Sequence, residues 1–243
     1  MQWMRDLLFP KKGPRCIDII RTSASRPELF KASTESLRSH LKFSGQFRWL
    51  VHENYLNQAA SDEVLRYAKE AGYDIILKSD PSIGQCMGLS KLLRAVRSPY
   101  ILNFEDDWEV LRDLPLDEAC RILDENPDVN QVAFNKRDTM CEVNGFQKAE
   151  TERSGFKLVT SPHWRLTPAL WRMSFIRPRW IVTESSNFIW QFNDHLRGVN
   201  KAPDAQWVMA NMGTYYFGGF DEKQFVQHLG VNQSVRLNER TWN

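Results

Sequence analysis

Tyr100-Ile101-Leu102-Asn103-Phe104-Glu105-Asp106-Asp107-Trp108-Glu109 is the stretch on which the reading of this chain turns. A short apolar run, Tyr100 to Phe104, reads as a buried strand. It breaks directly into three acids, Glu105, Asp106 and Asp107. Adjacent carboxylates repel one another, so a strand end that carries three of them has use for a positive charge. In open α/β sheets, ligands bind outside the carboxyl ends of the strands. A divalent cation with oxygen ligands, carrying a diphosphate, fits such a position. A solvated acidic turn is the plain alternative, and the order of the surrounding elements decides between them.

Upstream, strand and helix patterns alternate. Cys16 to Arg21 reads as the first strand, stopping at Thr22-Ser23-Ala24. Ser25-Arg-Pro-Glu28 has the form of a capping box, with Ser25 as N-cap of a helix that turns Phe30, Leu37 and Leu41 inward. Phe47 to Val51 is a second strand, ending in His52-Glu53-Asn54. Ser61 is the candidate cap of the next helix, and Gly72 its C-terminal stop. Tyr73 to Leu77, a turn at Ser79-Asp80-Pro81-Ser82, and a helix from about Gly84 to Arg97 lead into the Tyr100 strand. Near-continuous apolar strands alternating with helices predict a mostly parallel sheet covered on both faces, a three-layer α/β/α sandwich. Right-handed crossovers then bring Thr22 to Arg26, Glu53, Asp80 and the acidic triplet to one edge.

Downstream the signal is weaker. A helix over Asp117 to Asn126, a strand over Val129 to Asn135, a loop or hairpin over 136–157, and strands at Phe156 to Ser161 and Gly213 to Gly219 are expected. Ser161 to Arg177 is rich in Trp, Arg and Pro and has no clear period. A helix is expected after Ser185 or Ser186, with Glu184 just before it and Asp194 more than two turns on. Residues 1–14 read as a leader set off by Pro10 to Pro14, and 15–243 as one domain with halves at 15–110 and 111–243.

Composition narrows the function. The chain has 243 residues, 42% hydrophobic and 26% charged, with a formal net charge of only +2. That balance lacks the basic excess of a nucleic-acid binder. Four widely spaced cysteines form neither a zinc ribbon nor a disulfide framework, which points to reduced thiols and a cytoplasmic location. No apolar run has the length of a membrane span or of a signal-peptide core.

The order of these parts resembles the large glycosyltransferase family that also holds the cellulose and hyaluronan synthases. Strand, Thr22-Ser-Ala-Ser-Arg-Pro-Glu28, helix resembles its opening, and Phe104-Glu-Asp-Asp-Trp108 resembles the metal-binding DXD element of GT-A-fold transferases. His228 in Val226-Gln-His-Leu-Gly230 resembles the late histidine that completes the metal site in many of them. The resemblance runs well from Cys16 to Asp107 and patchily beyond. It implies a GT-A fold and transfer of a sugar from a nucleotide-diphosphate donor, UDP-linked by base rate, to a hydroxyl of a glycan, lipid-linked or protein acceptor, with inversion. It implies Mn²⁺ (or Mg²⁺) on Asp107 and His228, and nucleotide contacts from Thr22, Ser23, Arg26, Glu53, Asp80, Glu105 and Asp106. Asp106 is alternatively an orienting residue of the loop, and Ser25 a cap before it is a ligand.

The family's Glu-Asp catalytic pair is absent. Glu184 stands nearest to it and is the candidate base, with Asp194 in reserve. Trp108, His163, Trp164 and Arg165 are candidates for the acceptor side, with core packing as the alternative for the tryptophans. The Gln-x-x-Arg-Trp motif of the processive synthases is missing, so a non-processive enzyme is expected. A nucleotidyltransferase would want glycine in the Thr22 to Arg26 loop, which has none. A nucleotide- or glycan-binding domain without catalysis is the remaining alternative.

Overall fold

The computed structural model describes residues 15–80, 84–134, 142–143, 146–161, 164–177 and 212–229. Glu184, Asp194 and His163 lie outside them, as does the expected helix after Ser185.

The alternation read from the first half is present. Strand β1 (Cys16–Ser23) is followed by helix α1 (Pro27–His40) and a short β2 (Leu41–Lys42). Strand β3 (Gln46–Asn54), helix α2 (Gln58–Glu70), strand β4 (Ile75–Ser79), helix α3 (Gly84–Ala95) and strand β5 (Tyr100–Asn103) continue it. β3 and β5 flank β1 in parallel, and β4 adds in parallel to β3. β6 (Trp108–Val110), β7 (Leu114–Pro115), helix α4 (Leu116–Glu125) and β8 (Gln131–Phe134) follow. Then come β9 (Glu142–Val143), β10 (Phe146–Gln147), β11 (Glu150–Arg153), β12 (Phe156–Ser161), β13 (Ala169–Arg172), the single turn α5 (Met173–Ile176), β14 (Thr214–Phe217) and β15 (Val226–His228).

Among the described residues the main sheet has nine strands in the order β11-β12-β14-β8-β13-β5-β1-β3-β4. Side chains alternate across it, as the pleat requires. Ile17, Ile19 and Val51 pack with Phe30, Leu37 and Val64 on the α1/α2 face, whereas Ile20, Leu50 and Ile101 pack with Leu89, Leu92 and Trp171 on the α3 face. The result is a three-layer α/β/α sandwich whose first four long strands are parallel.

Two expected caps need correction, and one stretch without a clear period proves regular. Ser25 does not cap α1. An N-cap residue takes extended backbone angles, but Ser25 has φ +53°. Its hydroxyl instead accepts from the backbone N–H groups of Leu56 and Asn57, tying the β1–α1 loop to the β3–α2 loop. Ser61 does not cap α2. The cap is Asn57, which accepts from the Ala60 N–H at 3.1 Å, while the Ser61 hydroxyl donates to Glu53 at 2.7 Å. The stretch after Ser161 contains a central strand. β13 runs antiparallel between β5 and β8, with Leu170 and Trp171 wholly buried. Gly72 does sit just past the end of α2 with φ +73°, the left-handed conformation that favours glycine.

Candidate active site

The carboxyl ends of β1, β3, β4 and β5 meet at one edge, and the acids after β5 are held there by two arginines. Arg21, near the end of β1, is fully buried. Its Nε donates to the Phe104 carbonyl at 3.2 Å and its Nη2 to the Glu105 carbonyl at 3.3 Å. On the α1 side, Nη1 and Nη2 donate to the hydroxyls of Thr34 and Ser33 at 2.5 and 2.6 Å, and Nη1 also reaches the Tyr73 hydroxyl. The guanidinium lies against the rings of Phe30 and Phe104, 4.8 and 5.6 Å from their centroids. Carbonyls, hydroxyls and π faces therefore solvate a buried cation that has no carboxylate within ion-pair distance among the described residues. The same contacts fix the backbone that leads into the acidic turn.

Arg26 fixes the turn's side chains. Its Nε donates to Asp106 Oδ2 at 3.1 Å, its Nη2 bonds Asp106 Oδ1, and its Nη1 reaches Asp107 Oδ2 at 3.2 Å. Ser23 adds a hydroxyl to Asp106 Oδ2 at 2.9 Å. Asp106 is fully buried, so it orients the loop. Burial works against the charge of Arg26, but the fields and hydrogen bonds of Asp106 and Asp107 outweigh it and raise its pKa. Burial also raises the Asp106 carboxyl, against the pull of Arg26. Glu105, on the open side of the turn, is bound by the side-chain amide of Gln85 on α3.

Asp107 meets a residue from the far end of the chain. β15 pairs antiparallel with β6, placing His228 opposite Trp108, and the Leu229 N–H donates to the Asp107 carbonyl at 2.7 Å. His228 Nε2 consequently stands 3.3 Å from Asp107 Oδ2, and its ring lies 4.9 Å from that of Trp108. Asp107 Oδ1 is buried without a hydrogen-bond partner among the described residues.

This pair fits a divalent cation. Neighbouring ligands on a six-coordinate ion with bonds of about 2.1 Å stand about 3 Å apart, close to the separation observed. The unpartnered Asp107 Oδ1 is a second oxygen on the same group. No set of three or more His, Cys, Asp or Glu side chains among the described residues is arranged to hold a metal unaided. Two protein ligands would leave the other positions to water and substrate phosphate, the usual pattern for hard cations in phosphate sites.

The remaining candidates divide. Thr22 and Ser23 end β1 at this edge and are mostly buried, and Asp80 is exposed just past β4. Glu53 is fully buried. Its Oε1 accepts from the Ser25 N–H and the Ser61 hydroxyl and so organises the loop, while its Oε2 is buried without a hydrogen-bond partner among the described residues. Burial raises its pKa. Trp164 is a core residue, stacked on Phe175 and packed edge-on against Trp171. Arg165 bonds Ser161 and lies over Tyr216. Trp108 is buried beside His228. The sequence reading missed Arg21. An arginine closing a strand that is apolar apart from Asp18 was its only signal.

The nine-stranded sheet with its parallel core has the GT-A fold seen in solved glycosyltransferases. Several solved structures share it. Mannosyltransferase PcManGT from Pyrobaculum calidifontis, in complex with GDP-Man and Mn²⁺, has a TM-score of 0.53 at 13% identity over 88% of this chain and 63% of its own. TarS of S. aureus has a TM-score of 0.51 at 15% identity, over 87% of this chain and 36% of its own. GalNAc-T7, with UDP, GalNAc and Mn²⁺, has a TM-score of 0.57 at 6% identity, over 86% of this chain and 43% of its own. The chain thus spans less than two thirds of each of these proteins, and at such identities the likeness is one of fold. No family model matches the sequence, and no curated protein matches it. No helix among the described residues is long and apolar enough to cross a membrane.

Proposed function

We propose that this chain is a metal-dependent glycosyltransferase that moves a sugar from a nucleotide-diphosphate donor to an acceptor hydroxyl, with inversion. The observation that carries the reading is the Asp107–His228 pair at the carboxyl edge of the parallel strands, with one carboxylate oxygen left unpartnered. Asp107 and His228 are the residues that would hold Mn²⁺ or Mg²⁺. When bound, the ion supplies Lewis-acid stabilisation of the departing diphosphate.

The chain's own residues do the rest. Arg21, and Arg26 through Asp106, hold the backbone of the acidic turn in place before substrate arrives. Thr22, Ser23 and Asp80 line the edge where the nucleotide lies, and Glu105 faces its ribose. Trp108, His163 and Arg165 are the acceptor-side candidates that remain after Trp164 is assigned to the core. Glu184 takes the acceptor proton, with Asp194 as the reserve base. A UDP-linked donor is the working choice, in line with the UDP held by GalNAc-T7, while PcManGT holds GDP-Man.

Calorimetric titration with UDP, GDP, CMP and dTDP, each with and without Mn²⁺, tests this. Saturable binding of one diphosphate that requires Mn²⁺ is expected. A folded protein that binds none of them defeats the reading.

A further inference from the structure

We propose that Arg26 makes this site selective for a divalent cation that arrives with its diphosphate and against the bare cation. The inference rests on the reading of Asp107 and His228 as the cation's ligands. It starts from a shared atom. Asp107 Oδ2 lies 3.2 Å from Arg26 Nη1 and 3.3 Å from His228 Nε2. A cation bridging the carboxylate and the imidazole must therefore sit beside a guanidinium.

That guanidinium keeps its charge at any working pH. A dication and a guanidinium at such range repel. Nor can Arg26 swing wholly away. Asp106 is fully buried, and departure of the fork would leave that carboxylate unpaired.

The fork nevertheless divides into two parts. Nε and Nη2 are committed to Asp106. Among the described residues Nη1 bonds Asp107 alone, and the side chain is 18% exposed. A diphosphate supplies what the bare ion lacks. Its negative charge offsets that of the dication, and its oxygens accept from Nη1 in place of Asp107. Planar guanidinium donors suit phosphate oxygens. Asp107 Oδ2 is then released to the cation while Asp106 stays paired. The arginine thus acts as an internal counter-ion that only an anion can draw off.

Isothermal titration of the full chain with MnCl₂ alone, and with UDP in the presence of MnCl₂, separates the outcomes. Arg26→Gln should bind Mn²⁺ alone at least about tenfold more tightly than wild type, because the repulsion is gone. The same variant should lose at least about tenfold in affinity for UDP with Mn²⁺, because a charge-assisted phosphate contact is lost. If the unpaired Asp106 prevents folding, R26Q/D106N makes the same comparison without a buried unpaired charge. Equal or weaker Mn²⁺ binding in the variant, or none in either protein, overturns the proposal. Wild type that binds UDP with Mn²⁺, paired with a variant of unchanged Mn²⁺ affinity, sinks the role of Arg26 alone. Wild type that binds no nucleotide under any condition sinks the transferase reading instead.

Discussion

Arg21 donates from the end of β1 to the backbone carbonyl of Glu105, 84 residues on, at 3.3 Å. Through that bond and the one to Phe104, a buried cation sets the path of the acidic turn without touching an acidic side chain among the described residues. Replacing Arg21 by Met removes a hub of buried hydrogen bonds and should cost about 3 kcal/mol. Lys keeps the charge but cannot span both carbonyls and both hydroxyls, so Arg21→Lys should recover less than half of the loss. Urea denaturation checks both. A Met variant within about 0.5 kcal/mol of wild type would show that the hub is not holding the turn.

Asp107 and His228 should separate in experiment from the acids that only shape the loop. Asp107→Ala is expected to abolish Mn²⁺-dependent nucleotide binding, and His228→Ala to weaken it at least about tenfold. Asp106→Ala should instead lower stability, because Arg26 loses its buried partner. Calorimetry together with thermal melts distinguishes the two classes. Mn²⁺-dependent affinity that survives in Asp107→Ala would remove the triplet from the site.

His52 offers a pH signature of the nucleotide-side edge. It is fully buried, bonded through Nε2 to Ser79 at 2.8 Å, with Lys91 of α3 on the same hydroxyl. Burial first, then the charge of Lys91, lowers its pKa from 6.5 to about 4. A depressed folded-state pKa means that the unfolded chain takes up the proton first. The contribution is intact above pH 6.5 and is lost as the pH falls toward 4. At about 1.4 kcal/mol per unit it amounts to about 3 kcal/mol at most. Buried Glu53 and Asp106 have raised values and act in the opposite sense, so the test is a difference. Wild type minus His52→Gln, by urea denaturation at pH 7, 6, 5 and 4, should fall steadily. A flat difference would mean that His52 does not carry the effect.

Gly88 is tied to the same histidine. A Cβ at this position would stand 2.4 Å from His52 Nδ1. Gly88→Ala should therefore destabilise by about 1–3 kcal/mol through overpacking, although Ala is the better helix former. In the double variant with His52→Ser much of that cost should vanish, giving a coupling energy of about 1 kcal/mol or more. Simple additivity would show that the α3–β3 approach has slack.

The first half of the fold was legible because its chemistry is local. Each strand up to Tyr100 is an apolar run closed by polar turn residues, and each helix carries its own stop. The acids after Phe104 and the late His228 could be read as a pair through the resemblance, since no spacing rule links residues so far apart. β13 was not legible. It is flanked on both sides in the sheet and buried on both faces, so Leu170 and Trp171 show no alternation, and nearby Trp, Arg and Pro mask the run. The capping errors have a common cause. Ser25 and Ser61 bear the right side chains for caps, but both answer to Glu53, a buried carboxylate from another strand. Long-range demand for donors overrode the local motif. Arg21 escaped for the same reason, because its partners lie on α1, β4's approach and the acidic turn.

Glu184 carries the last prediction, and it rests on sequence. A carboxylate just ahead of an expected helix is favoured as the anion, which is the form a base needs. Glu184→Gln keeps size and hydrogen bonding but cannot take a proton at neutral pH. Donor affinity should match wild type, while transfer to acceptor should fall by about 10²–10⁴-fold. The KM for donor should stay near its wild-type value, since the loss lies in the chemical step. Turnover at the wild-type rate would move the base to Asp194, for which Asp194→Asn is the matching test. If neither substitution slows transfer, the proton must leave by another group, and the single-base inverting scheme fails with it.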